Sequence, residues 1–312
     1  MKKTYAGLFA LTLTFSYLYI NTALANLRVS VVASALVGCA CVLAIFSAIS
    51  EAQDMRRPET QLFSTTSLKL FLSLVVGSLI TYGLSVYARL GSVVASGLVT
   101  LIGGILVPSL GPAITCGSFV GMTSPSLLGP FDLLLAACIA GLVYLVASDV
   151  FNGFGGKLGT IAATGTTLTA ILTGTSFIDA KPLEPSCLIP VVITCGISSA
   201  ISFWINNRMK QGGVIASGVV ALTGGLLLPA VIPTIGGTLA ACCACGSYVG
   251  MSSLTRIHDE ISAVSAGILA GLCYYWGITV IAGAGGRLGT TAFGSVLAIS
   301  FLVQRTMRTK KN

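Results

Sequence analysis

The chain has 312 residues, of which 54% are hydrophobic and only 8% charged, and a formal net charge of +8. A soluble domain carries about 25% charged residues and could not bury this much apolar side chain, because surface grows too fast relative to volume. The composition therefore excludes a soluble globular protein, and basic residues that sit mostly singly in short loops, apart from one C-terminal cluster, argue against nucleic-acid binding.

Residues 1–50 read as an N-terminal transmembrane hairpin. Lys2-Lys3, an apolar run and Ala23-Leu24-Ala25 have the form of a secretory signal with its cleavage site. Retention as a first helix is favoured, because SVVASALV at 30–37 returns as SVVASGLV at 92–99. Residues 51–64, EAQDMRRPETQLFS, form a polar loop expected on the cytoplasmic side.

Two blocks follow, 65–178 and 179–304. Each holds four apolar runs of the roughly 17–22 residues that cross a hydrocarbon core about 30 Å thick. They lie near 67–88, 91–108, 131–150 and 159–177, and near 187–206, 213–230, 261–283 and 289–304. A fifth segment in each block, 110–129 and 233–254, is rich in Gly, Ser, Thr and Cys and bounded by prolines. It either crosses or dips in and returns. A basic tail, 305–312, with Arg305, Arg308, Lys310 and Lys311, is expected on the cytoplasmic side beside anionic lipid.

The blocks share motifs. CGSFVGMTS at 116–124 returns as CGSYVGMSS at 245–253, and GGKLGT at 155–160 returns as GGRLGT at 285–290. If the fifth segments cross, thirteen Lys and Arg fall inside and four outside (Arg28, Arg89, Lys181 and Arg287); if they are re-entrant the split is eleven to six. The positive-inside rule prefers crossing. Five spans per block then make the second block inverted relative to the first, as in many secondary transporters. The [RK]-L-G-[ST] pattern shared by the loops at Arg89, Lys157 and Arg287 argues for parallel hairpins instead. The expected fold is an all-α polytopic membrane protein of about 10–12 transmembrane helices with an internal duplication, the inverted five-plus-five form favoured.

The repeated nine-residue motif is the main chemical candidate: Cys116, Gly117, Ser118, Gly121, Thr123 and Ser124, with Cys245, Gly246, Ser247, Gly250, Ser252 and Ser253. Glycines four apart suit close helix packing, and packing alone explains them. Flanking prolines instead suggest interrupted helices whose freed backbone and hydroxyl groups line a cavity and hold a substrate. Lys157 and Arg287 lie at the start of a helix, where anions are favoured; they read as interfacial anchors or as an anion-attracting vestibule. Asp149, near a span end, is a candidate for ion coupling or an interfacial acid.

No Ser/His/Asp arrangement or chain of buried acids is visible, so no enzyme activity and no cofactor are expected. Cys242, Cys243, Cys245 and Met251 could attract a soft metal, but no ligand spacing of a standard site exists, and no metal is expected. The leading expectation is a secondary carrier for a small solute or inorganic ion in the plasma (inner) membrane. A channel using the same segments and a non-transporting assembly subunit are the alternatives. The expected partners are the bilayer and the solute; homo-oligomerisation is left open.

Overall fold

Apolar runs punctuated by Gly, Pro and polar turns fold into twelve α-helices, with no strand among the described residues. The computed structural model describes residues 2–54 and 64–309. Most of the polar loop 51–64 and the end of the basic tail 305–312 lie outside the described residues. The helices are α1 (Lys2–Asn26), α2 (Val31–Asp54), α3 (Thr65–Tyr82), α4 (Ser92–Leu106), α5 (Gly111–Gly121) and α6 (Pro130–Val146). They continue with α7 (Lys157–Thr173), α8 (Leu188–Asn207), α9 (Gly213–Val231), α10 (Gly236–Gly250), α11 (Glu260–Trp276) and α12 (Arg287–Thr309). A π-helical turn, Gly83–Tyr87, extends α3, and a 3₁₀ turn, Pro185–Cys187, precedes α8.

Six helices are long and apolar enough to cross a bilayer: α1, α2, α3 with its π turn, α8 with its 3₁₀ turn, α9 and α12. Large apolar side chains point outward, as with Phe131 at 88% and Ile261 at 78% exposure. The interior combines large side chains such as Phe15, Phe203 and Phe293 with many Ala, Gly, Ser and Thr, including fully buried Ser118, Ser199, Ser247 and Thr160. Outward-facing large apolar side chains suit a lipid surround, where helices associate through small residues and hydroxyls. The chain is a polytopic membrane protein.

Several spans are shorter than the apolar runs suggest. The helix expected over 131–150 stops at Val146, and that over 261–283 stops at Trp276. Both give way to ten-residue turn chains, 147–156 and 277–286. Phe151 (φ 53°) and Ile281 (φ 44°) there take the left-handed conformation, which a non-glycine residue adopts only when its surroundings hold it. The Ile-Thr-Val-Ile run of the second chain is as apolar as a span, but its β-branched residues and the glycines around them are weak helix formers. Helix α4 ends at Leu106 because Pro108 holds Val107 in an extended conformation (φ −137°, ψ 67°). The matching proline in the second block, Pro229, is instead carried inside α9.

Side-chain caps fix two helix starts at polar loops. Ser64 Oγ accepts from the Ser67 N–H at 3.0 Å, and Asp259 Oδ1 from the Ser262 N–H at 2.7 Å. Helix α3 packs on α5 and α6, and α8 on α10 and α11. The blocks meet where α4 lies against α9 and α7 against α12. The α1–α2 hairpin is keyed into the second block. The buried Tyr19 hydroxyl donates to the Thr291 carbonyl at 2.7 Å, the Phe15 and Phe293 rings sit 5.9 Å apart edge to face, and Asn26 donates to the Trp276 carbonyl at 2.9 Å.

Candidate functional site

The repeated motif opens on the last turns of α5 and α10. Both helices run unbroken, over 11 and 15 residues, so the expected interruption inside them is not found. Here packing decides. A Cβ on Gly117 would collide with the Leu74 carbonyl and one on Gly121 with the Ser78 carbonyl, while Gly246 and Gly250 press on Cys195 and Ser199 of α8 in the same way. Eleven residues of α-helix rise about 16 Å, roughly half a hydrocarbon core. The break therefore comes after the helix, at Met122 and Met251.

The motif hydroxyls divide into two groups. Ser118 is fully buried, donates to the Thr115 carbonyl at 2.8 Å and lies 3.0 Å from both Ser96 and Thr100 hydroxyls. Ser247 donates to the Ala244 carbonyl at 2.7 Å. Cys116 and Cys245 donate to the Leu158 and Leu288 carbonyls at 3.2 and 3.3 Å. These groups are occupied within the helix packing. The ends of the motif instead reach the opposite block. The Gly285 N–H donates to Thr123 Oγ1 and the Gly155 N–H to Ser252 Oγ, both at 3.1 Å. The Ser124 N–H donates to the Gly283 carbonyl and the Ser253 N–H to the Gly153 carbonyl, both at 2.9 Å. Each block thus holds the turn chain of the other through the same pair of bonds.

A cavity of about 350 Å³ opens beside the first of these joints and is lined by Met122, Thr123, Ser124, Ser92, Tyr248 and Arg287, among others. A second, of about 380 Å³, opens beside the other and is lined by Met251, Gly153, Gly213, Asn152, Ser148 and Lys157, among others. The two take matching positions from the two blocks: Met122 and Met251, Gly283 and Gly153, Arg287 and Lys157. Two helices begin at each cavity, α4 and α12 at the first and α9 and α7 at the second. Their N-terminal N–H groups carry partial positive charge, and one cationic side chain adds to it. No carboxylate is among the lining residues of either cavity.

The cations are held differently. Arg287 donates to the Ile278 carbonyl, with its guanidinium 5.5 Å from the Tyr274 ring centre. Lys157 Nζ donates to the Ser148 carbonyl at 3.2 Å and Asn152 Oδ1 at 3.1 Å. Asp149 sits on the turn chain after α6, close enough to Lys157 to act on it electrostatically. The Phe119 and Tyr248 rings, centres 4.4 Å apart, both line the first cavity, as does Gly289, where α12 crosses α7 at Gly159.

The residues singled out from the sequence therefore separate. Thr123, Ser124, Arg287 and Lys157 line cavities; Ser252 and Ser253 tie down a turn chain; Cys116, Gly117, Ser118, Gly121, Cys245, Gly246, Ser247 and Gly250 pack helices. Sequence reasoning missed Ser85 on the π turn, Ser92, and the ring pair Phe119–Tyr248. A signal for the rings lay in the one aromatic position of the repeated motif. Cys242, Cys243 and Cys245 are buried on different sides of α10, donating (Cys243, Cys245) to the Val220 and Leu288 carbonyls or, for Cys242, accepting from Cys195 through its own carbonyl. Among the described residues no three His, Cys, Asp or Glu side chains converge as metal ligands.

The chain matches no protein-family model, no curated protein and no solved structure.

Proposed function

We propose that the chain is a secondary carrier for a small solute, with small anions as the favoured cargo. The observation that carries this reading is the pair of matching cavities, each at two helix starts with one cation and no lining acid. Such a site attracts negative charge without needing a metal or cofactor. Arg287 offers a planar fork suited to a carboxylate or oxyanion, and Lys157 a point charge.

The same reading takes residues 65–178 and 179–304 as inverted copies of one five-helix unit, preceded by the α1–α2 hairpin. Its support is the way the turn chains bond. The chain bearing Lys157 bonds to Glu51 and Ser253, at the end where α2 terminates, through Phe151 and Gly153. The chain bearing Arg287 bonds to Ser124 and to Ile178, in the linker after α7. With successive helices alternating in direction, as this reading requires, these are opposite ends. Thirteen Lys and Arg then fall at the Glu51 end, which favours that end, and the C-terminus, in the cytoplasm. The blocks pack tightly against each other through the Phe119–Tyr248 ring pair and the Gly159–Gly289 crossing, which favours alternating access over an open pore.

The test is reconstitution of the purified chain in liposomes, with uptake of radiolabelled chloride, nitrate, sulfate, phosphate and acetate beside a neutral amino acid. Saturable uptake with counter-exchange supports the carrier. Single-channel currents would replace it with a channel, and no movement of any probe with a non-transporting assembly subunit.

A further inference from the structure

The two turn chains share a backbone but not their fastenings. At the Glu51 end, Glu51 Oε1 accepts from the Phe151 N–H at 3.1 Å, and so steadies the left-handed residue of that chain. Glu51 also pairs with Arg256 at 3.0 Å. Arg256 in turn donates through Nε to the Asn152 carbonyl at 2.9 Å, and its guanidinium lies 4.3 Å from the Phe154 ring centre. Asn152 and Phe154 both line the Lys157 cavity. Both partners are largely shielded, with 24% of the Arg256 side chain and 12% of Glu51 exposed. A shielded, charge-assisted pair is stronger than a surface one.

At the other end the matching positions are apolar. Leu127 stands where Arg256 does, and Ile281, Ala282 and Ala284 stand for Phe151, Asn152 and Phe154. That chain is held by a backbone bond, from the Ile178 N–H to the Ala282 carbonyl at 3.1 Å.

We propose that the Glu51–Arg256 pair is a latch by which the α1–α2 hairpin holds the Lys157 cavity shut at one end of the protein, with no ionic counterpart at the Arg287 cavity among the described residues. Opening the Lys157 cavity toward that end must lift the segment 151–154 away from its neighbours, which breaks the Glu51 bonds. Removing the pair shifts the population toward the open form at that end alone. The inference goes beyond the carrier reading, since accessibility is measured without any transport.

Ser148 lines the Lys157 cavity, and Ile278 is its match beside Arg287. Ser148→Cys and Ile278→Cys are introduced singly into the full chain in lipid nanodiscs, which leave both ends open to solvent. Labelling by a water-soluble maleimide is timed against the parent chain, which carries its own ten cysteines. With Glu51→Gln or Arg256→Gln added, labelling at position 148 is expected to accelerate about tenfold, the shift given by loss of one charge-assisted interaction. Labelling at position 278 stays unchanged. Where a single variant leaves an unpaired charge and fails to fold, the neutral double variant Glu51→Gln/Arg256→Gln carries the same expectation. Unchanged labelling at 148 in folded protein overturns the latch, and so does an equal rise at 278, which would mean general loosening.

Discussion

Gly159 and Gly289 meet backbone to backbone where the first turns of α7 and α12 cross. A Cβ on either would lie 2.5 Å from the Cα of the other. The blocks can approach this closely only because both positions lack a side chain. Gly159→Ala or Gly289→Ala is expected to cost about 1–3 kcal/mol, the usual penalty for overpacking. A drop in thermal midpoint in detergent checks this, and a variant as stable as the parent would show that the crossing can loosen freely.

The opposite placement of the two cations is open to a direct check. Lys157→Cys is expected to react with an impermeant maleimide from the Glu51 side of sealed vesicles, and Arg287→Cys from the other. Labelling of both from one side would replace inverted blocks with parallel ones.

Arg287 and Lys157 occupy matching positions but present different donors. Arg287→Gln is expected to slow anion uptake by about tenfold or more, and Arg287→Lys to recover part of it by restoring the charge without the fork. Lys157→Gln is expected to act in the same direction. Uptake kinetics in liposomes at matched protein density give the comparison, and full activity in both Gln variants would move the site elsewhere.

Ser118 has its own outcome. Its hydroxyl is satisfied inside the α4–α5 contact, so Ser118→Ala is expected to cost about 1 kcal/mol and leave uptake in place. Ser118→Leu would force a larger side chain into a fully buried position and is expected to lower the yield of folded protein. Loss of uptake in well-folded Ser118→Ala would give this hydroxyl a role in transport.

Asp259 caps α11, and its carboxyl is held below the usual value by hydrogen bonds from the Ser262 hydroxyl and N–H. A lowered carboxyl pKa favours the folded state once the unfolded group has ionised. The contribution is therefore full above the ordinary value of about 4 and fades as pH falls through the lower, folded value. Asp259→Ala is expected to cost about 0.5 kcal/mol at neutral pH, the low end for an exposed cap. The gap in thermal midpoint between parent and variant should narrow below about pH 4. A gap that stays constant with pH would remove the ionised cap.

The membrane class and most helices were legible because apolar length is written locally. Pro108 stands just past the end of α4, and only parts of the repeated motif, among them Met122, Thr123, Ser124 and Met251, line the cavities. What escaped was decided across the fold. Ser118 and Thr123 are five residues apart in one motif, yet one is sealed by Ser96 and Thr100 while the other accepts from Gly285. Nothing local to either hydroxyl states which partner it will find. The turn chain 277–286 was read as helix because apolar composition cannot reveal that Ile281 would be held at positive φ. Glu51 and Arg256 are 205 residues apart, and their meeting depends on where the hairpin docks.

The crossing at Gly159 and Gly289 and the tilted ring pair Phe119 and Tyr248 have one more implication. In both contacts a position touches its own match, so the two halves offer the same patch to their shared boundary. That is the condition for an isologous interface, in which a surface is complementary to itself. The covalent linker through Asp179 and Pro185 keeps these two matching contacts at a fixed local concentration.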